Sequence, residues 1–486
     1  MSIKTYCSAP FLKQVWVAFG ILMLTAGQGM VMGFTTILLP ALQQPTSVIQ
    51  VDIHRASHLV SCIALSSIIG LLLSSTLMDW CGRKMTYLLI ILPGIVGWLF
   101  IYFAESFPVL LIGRILCGIT PGNLSLTSFI IGEYTSPKYR GIFLILKTAS
   151  VYIGITIIHI SGSTLDWRLL AALTLIFYVV PFGMACFWPE SPAWLASRQE
   201  FKKCEEAFIW LRGTDEKSMA ELQEMIKLHK EQYILNRERL RSRTKNKVRL
   251  QKFTKGDFIK PSVVMLFAFL LLETSGKHYF PAYALQFIGE ITENVPYTYY
   301  YTLCIDLVIV GSCILSCVLV RVFDRRSLLL TTGLAAVVIL ILASAHIFLT
   351  FNGTLTNRAW VSISLLFSYF ALANLGCTTL PLVFMGEIFP TSHRAAGSVI
   401  VCFTMSVIFW GIMKVTPHLF LNIKVYGTLA VFGALITTCL LILYFILPET
   451  KDRTLEEIEY YFNNGCFRNE ENVIDDVNIK MINSNY

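Results

Sequence analysis

Two copies of one charged pattern stand in the two halves of the chain, Gly132-Glu133-x6-Arg140 and Gly386-Glu387-x6-Arg394, each with a proline inside it. Both follow a long apolar run. Two further pairs flank them. Asp79-Trp80-Cys81-Gly82-Arg83-Lys84 is echoed by Asp324-Arg325-Arg326, and Pro189-Glu190-Ser191-Pro192 by Pro448-Glu449-Thr450-Lys451. The chemistry open to these groups is ion pairing that can be made and broken. Paired catalytic carboxylates, a nucleophile elbow, a metal-ligand cluster and a phosphate loop are all missing from the sequence, so no enzyme and no cofactor is expected. A third charged group, Leu272-Glu273-Thr274-Ser275-Gly276-Lys277-His278, interrupts an apolar run and could meet a polar solute. Repetition of one charge order at this scale implies two similar halves, which in a membrane protein points to a transporter built from parallel repeats.

The elements that must position these residues follow from composition. Hydrophobic residues make up 55% and charged residues 14% of 486, against about 25% charged in soluble domains. With a mean hydropathy of +0.63, the chain needs lipid as its solvent. Twelve apolar stretches are long enough to cross about 30 Å of hydrocarbon. They are placed near 15–39, 57–78, 86–104, 108–131, 142–162, 169–188, 262–288, 298–320, 328–350, 360–385, 397–421 and 425–447, and are numbered spans 1 to 12. The expected organisation is a cytoplasmic N-terminus (1–14), a six-helix bundle (15–188), a linker with amphipathic helices (189–260), a second bundle (261–447) and a cytoplasmic tail (448–486).

The net charge of +8 fixes the expected orientation. Most Lys and Arg fall on one side of this layout: in the linker, in short loops such as Arg83-Lys84, Lys138 to Arg140 and Arg325-Arg326, and near both ends. The positive-inside rule then puts both termini in the cytoplasm, with the plasma membrane as the expected location. A nucleic-acid partner is not expected, because no soluble domain carries the charge. The first apolar run is too long for the core of a cleavable signal. The 13 cysteines sit mostly within spans, and no disulfide framework is implied. Cys313 and Cys317 read as small packing residues. Asn352-Gly353-Thr354 is a glycosylation sequon in a short loop on the expected outer side.

The linker has its own helical period. Phe201, Cys204, Phe208 and Leu211 recur at helical spacing before Gly213. Asp215 can cap a second helix with Met219, Leu222, Met225 and Ile226 on one face. The stretch 236–255 is basic and reads as mobile; beyond 465 the tail reads as disordered.

Taken together, the motifs resemble those of the sugar-porter family of the major facilitator superfamily, and within it the insect facilitated trehalose-transporter-like proteins. The resemblance covers about residues 12–460. It rests on Asp79-x2-Gly82-Arg83-Lys84, Gly113-Arg114-x3-Gly118-x3-Gly122, Glu133-x6-Arg140-Gly141, Pro189-Glu190-Ser191-Pro192-x-Trp194-Leu195, Glu387-Ile388-Phe389-Pro390-x3-Arg394 and Pro448-Glu449-Thr450-Lys451, in that order. It implies an all-α fold of two six-helix bundles with short cytoplasmic helices between them, and alternating-access movement of a small polyhydroxylated solute. Asp79, Glu133, Glu190, Glu387 and Glu449, with Arg83, Arg140, Arg325 and Arg394, would form a cytoplasmic gate. Charges placed there only to set topology are the plainer alternative. Gly113, Gly118 and Gly122 would allow close helix contact.

The departures from that family fall on the expected sugar site. Span 7 lacks the family's glutamines and asparagine, keeping Gly276 and offering Glu273, Lys277 and His278. Span 5 has Thr148 in place of a glutamine. In span 10 Leu382 replaces a tryptophan while Gly376 and Pro381 remain, and Ser406 replaces another in span 11. Expected solute contacts are Thr148, Glu273, Lys277, His278, Tyr283, Asn374 and Thr378. Glu273 lies roughly 15 Å deep, where an isolated charge costs at least ~2.5–3.5 kcal/mol. Glu273 and Lys277 at i, i+4 are therefore expected either to face a watery cavity or to neutralise each other. Proton-driven relatives carry an aspartate in span 1 near the span 4 arginine. Here Thr35 stands at that position opposite Arg114, which favours facilitated diffusion, with Glu273 or Asp306 as substitute proton carriers. Two rivals stay open: a non-transporting sugar sensor, and a carrier for a charged or zwitterionic solute. The sequence does not fix the oligomeric state.

Overall fold

The structure, a computed structural model, describes residues 9–465 except 46, 242–255, 293–294, 357–358, 389–393, 452 and 454. Among the described residues every regular element is a helix. Spans 1 to 3 are Ala9–Gln43, Ile53–Trp80 and Arg83–Tyr102. Span 4 is Phe107–Ile119, a 3-10 turn at Thr120–Asn123 and then Leu124–Tyr134. It bends by 43°, because Pro121 and Gly122 cannot hold a straight helix. Pro137–Ser161 and Trp167–Cys186 are spans 5 and 6.

The second half repeats the plan. Span 7 is Gly256–Thr274 followed by Tyr279–Thr292, span 8 Val295–Val322, span 9 Arg325–Phe351, and span 10 Ala359–Leu375 followed by Leu380–Glu387. The helix Arg394–Ile446 has 53 residues, about 80 Å at 1.5 Å per residue. That is too long for one crossing of about 30 Å. It breaks at Lys424, which has φ +58°, and the N–H of the next residue, Val425, donates to Glu290 at 3.2 Å. It therefore supplies spans 11 and 12. Twelve crossings result, in agreement with the expected all-α, two-bundle architecture.

Small residues decide how closely the helices approach. A Cβ on Gly29 would lie 1.9 Å from the Val151 carbonyl oxygen, and one on Gly154 would lie 1.9 Å from that of Ala26, so spans 1 and 5 cross backbone to backbone. Span 4 sets Gly118 against the Ser66 hydroxyl and the Ile63 backbone, and Gly122 against the Ser67 carbonyl, of span 2. The expected packing role of these glycines is what the structure shows.

Between the halves lie Pro192–Ser197, Phe201–Arg212 and Glu216–Arg241. Phe201–Arg212 stops at Gly213, whose φ of +81° suits glycine. Leu195, Cys204, Phe208 and Leu222 form a small core with Met219, Met225 and Ile226 around it. The third helix runs into the basic stretch 236–255, of which 242–255 lies outside the described residues, as does the tail beyond 465. These helices fasten to the first half. Gln14 donates to the Leu211 carbonyl at 3.1 Å and accepts from the Ser136 N–H at 2.9 Å, and Arg212 donates to the Thr135 carbonyl at 2.9 Å. The side of the bundle they cover is called the linker face below, and the other side the far face.

Candidate functional site

At the linker face, each half uses a glutamate to cap a helix of its own bundle. Glu190 accepts the backbone N–H groups of Arg83 at 2.8 Å, Lys84 at 3.1 Å and Ser191 at 2.8 Å. Glu449 accepts those of Arg325 at 3.1 Å, Arg326 at 2.9 Å, Thr450 at 2.9 Å and Lys451 at 2.9 Å. A carboxylate at the orphan donors of a helix N-terminus is favoured both by hydrogen bonding and by the helix dipole. The repeated Pro-Glu motif is thus one device used twice.

The ion pair Arg83–Glu133 is bidentate on the arginine side, with Nη2 at 2.8 Å and Nε at 3.1 Å from Oε1. The other Glu133 oxygen accepts the Ser191 hydroxyl. Of the ring expected from sequence, the Arg83–Glu133 ion pair is formed among the described residues. Asp79 is exposed, and it is its carbonyl, not its carboxylate, that is engaged, by Arg198 at 2.6 Å and Trp194 at 3.3 Å. Arg140 is exposed and makes no ion pair among the described residues. Arg325 donates to the Thr450 carbonyl at 3.2 Å, while Glu449 is occupied by backbone donors. The side chains of Glu387 and Arg394 lie outside the described residues.

The middle of the bundle is built on two helix breaks. Span 7 is interrupted at Ser275–His278, where Gly276 takes φ +97°, and span 10 between Leu375 and Leu380. The first break changes the pairing of Glu273. A continuous helix would present Lys277 at i+4. The left-handed turn at Gly276 instead swings His278 back, and its Nδ1 meets both Glu273 oxygens, at 2.7 and 2.9 Å. Glu273 is fully buried. Of the two expected alternatives, a watery cavity or neutralisation by Lys277, neither is the contact seen; it is a third, with His278 offsetting the desolvation cost. His278 also stacks on Phe409 at 4.3 Å. Lys277 is half-buried and makes no hydrogen bond among the described residues.

Around this pair, polar groups converge from both halves. Tyr152 of span 5 donates to Asn374 of span 10 at 3.4 Å, and Thr378 donates to the same oxygen at 2.9 Å. Thr148 is half-buried, with its hydroxyl on the Leu144 carbonyl at 3.2 Å. Tyr283 donates to the Met413 carbonyl at 3.3 Å, tying span 7 to span 11. Lys147, absent from the expected set, is buried, donates to Ser128 at 2.6 Å and lies within Coulombic reach of Lys277. A lysine within the apolar run of span 5 is its signal in the sequence. Hydrogen-bonding side chains from both halves thus meet in the middle of the bundle.

In span 4, Arg114 is wholly buried. Its Nη2 donates to Thr35 Oγ1 at 2.5 Å and its Nη1 to the Val31 carbonyl at 3.1 Å. It makes no ion pair among the described residues. The partner of this buried arginine in span 1 is thus a hydroxyl, and a hydroxyl does not titrate near neutral pH.

Residues 14–462 match the model of the family described as sugar (and other) transporter. The chain belongs to that family. This sugar-transporter-family chain is 28% identical over 423 residues to the facilitated trehalose transporter Tret1 of Apis mellifera ligustica, covering 86% of this chain and 81% of the relative. It is 26% identical to Tret1 of Bombyx mori over 463 residues, covering 94% and 88%. Among solved structures it is similar to the major facilitator superfamily proton:xylose symporter XylE bound to 6-bromo-6-deoxy-D-glucose, with a TM-score of 0.70, 17% identity and coverage of 93% and 99%. A second likeness is to the inward open xylose transporter XylE from E. coli, with a TM-score of 0.72 and 16% identity, covering 93% of this chain and 99% of that one. The chain therefore has the major facilitator fold and is a multi-pass membrane protein whose family and fold are those of transporters.

Proposed function

We propose that this chain moves a sugar, trehalose or a hexose, down its gradient by alternating access. The observation that carries the facilitative part is the Thr35 hydroxyl 2.5 Å from the buried Arg114, where a proton carrier would need a carboxylate. The curated relatives described as facilitated trehalose transporters support the sugar. In this reading, residues 15–188 and 261–447 are the rocking halves, and Thr148, Glu273, Lys277, His278, Tyr283, Asn374 and Thr378 contact the solute, with Lys147 added. Arg83–Glu133 and its counterpart around Arg325, Glu387, Arg394 and Glu449 hold the linker-face ends. The surplus of Lys and Arg at the linker face supports a cytoplasmic placement of that face, of both termini and of the 189–260 linker, in the plasma membrane.

Counterflow of labelled trehalose, glucose and fructose in proteoliposomes tests this, with Glu133→Ala/Glu387→Ala as the inactive control. Saturable counterflow with at least one sugar is expected; none with any sugar, from folded protein, would overturn the reading. Thr35→Asp is expected to make uptake respond to an inward proton gradient to which the parent is indifferent. Equal responses in parent and variant would contradict the role given to Thr35. One observation favours a second reading: Lys147 and Lys277 bring two ammonium groups near each other while Glu273 is engaged by His278. That suits a solute carrying a carboxylate, and competition of sugar counterflow by amino acids or organic acids would reveal it.

A further inference from the structure

Direct hydrogen bonds between the two halves lie in the middle and on the far-face side of the bundle, among the described residues. Ser67 of span 2 meets Ser406 of span 11 at 3.4 Å, and Ser57 of span 2 donates to the Lys414 carbonyl at 3.3 Å. Thr36 of span 1 donates to the Pro281 carbonyl of span 7, and Tyr299 of span 8 to the Gly162 carbonyl at the end of span 5, at 3.4 Å. Among the described residues, two hydrogen-bonding contacts across this interface join titratable side chains: Lys414 Nζ of span 11 lies 3.5 Å from His58 Nδ1 of span 2 at an exposed edge, and the second is buried. His159 of span 5 places Nδ1 2.6 Å from Asp306 Oδ2 of span 8, with the side chains 1% and 3% exposed.

Among the described residues, His159 is the side chain that pairs with Asp306. Span 1, which packs along span 5, has no titratable residue between Val15 and Gln43. Asp306 is the only carboxylate in span 8. The other His159 ring nitrogen is buried without a partner, so Asp306 is its single polar contact across the interface. A buried carboxylate is tolerated only while it is paired. Opening the far face must pull span 5 from span 8 and hand both groups to water, where neither needs the other. The closed state thus depends on the pair and the open state does not.

We propose that His159–Asp306 is the latch of the far-face gate, two positioning residues that hold the bundle closed on that side and set how often it opens. This rests on the alternating-access reading above. In this role the two residues act on the opening equilibrium and not on the solute, so their loss shifts populations without touching the central site.

The test uses Ser57→Cys as a far-face reporter, since Ser57 is fully buried against span 11. The rate at which membrane-impermeant maleimide labels this cysteine in the full-length reconstituted protein, above the rate of the parent with Ser57 intact, reads the open population. His159→Ala and Asp306→Asn are each expected to raise it about tenfold. The exchanged pair His159→Asp/Asp306→His is expected to return it to the parental rate. Should His159→Ala fail to fold, Asp306→Asn and His159→Gln carry the same expectation. Unchanged labelling in the single variants, or raised labelling that the exchanged pair does not reverse, would overturn the latch. Labelling needs no sugar, so a chain that behaves as predicted here but shows no sugar counterflow would sink the sugar reading alone.

Discussion

Glu273→Ala will reduce transport at least a hundredfold and lower the temperature at which the purified protein unfolds. The carboxylate is wholly buried and both its oxygens meet His278 Nδ1. Removing one member of a buried pair typically costs about 3–5 kcal/mol, because the other is left without a partner. His278→Ala is expected to cost as much, and the double variant clearly less than the sum of the two, since the second removal takes away a group already orphaned. Glu273→Gln, which can still accept a hydrogen bond from the imidazole, is expected to lie between variant and parent. Lys277→Ala is the contrasting case. Its ammonium group makes no hydrogen bond among the described residues, so the unfolding temperature should hold while the half-saturation concentration changes. Thermal unfolding in detergent beside initial uptake rates decides this. Equal destabilisation by Lys277→Ala and His278→Ala would show that Glu273 is paired with the lysine instead.

Gly154→Val will yield no monodisperse protein at all. A Cβ there would stand 1.9 Å from the Ala26 carbonyl oxygen, and the atom it strikes is backbone at the crossing of spans 1 and 5. Ordinary overpacking costs about 1–3 kcal/mol because side chains can give way. Here a helix would have to move, and span 1 also carries Thr35, which receives Arg114. Gly183→Val is the matched control, since nothing lies within 4 Å of a Cβ at that position. Size-exclusion profiles of both variants read the outcome. A folded Gly154→Val would mean that spans 1 and 5 are not packed this closely.

Much of the fold was legible because bilayer thickness leaves few alternatives. Apolar runs gave twelve crossings, and the helix Arg394–Ile446 divides at Lys424, between the stretches 397–421 and 425–447. The linker period at Phe201, Cys204 and Phe208 marked the face that forms the small core. The site was harder to read, for two physical reasons. Helical spacing presupposes an unbroken helix, and the turn at Gly276 replaced Lys277 by His278 as the partner of Glu273. Span 4 bends for a related reason at Pro121 and Gly122. The second reason is distance along the chain. His159 and Asp306 lie 147 residues apart, and no local pattern announces such a pair. Glu190 and Glu449 stand out in the sequence as a repeat, but the helix N-termini they cap, at Arg83 and Arg325, lie 107 and 124 residues away along the chain. Asp79, one motif further back, points to solvent.

The most direct measurement is the plateau of labelled trehalose uptake into proteoliposomes, with and without an inward proton gradient, at saturating and at low external sugar. A facilitative carrier with Thr35 against Arg114 predicts saturable entry that stops when inside and outside concentrations are equal, at every gradient. Accumulation above the outside concentration when the gradient is applied would contradict facilitated diffusion and assign a proton to one of the buried carboxylates. Absence of saturable entry for trehalose and for hexoses, from protein shown to be folded, would contradict the sugar assignment itself.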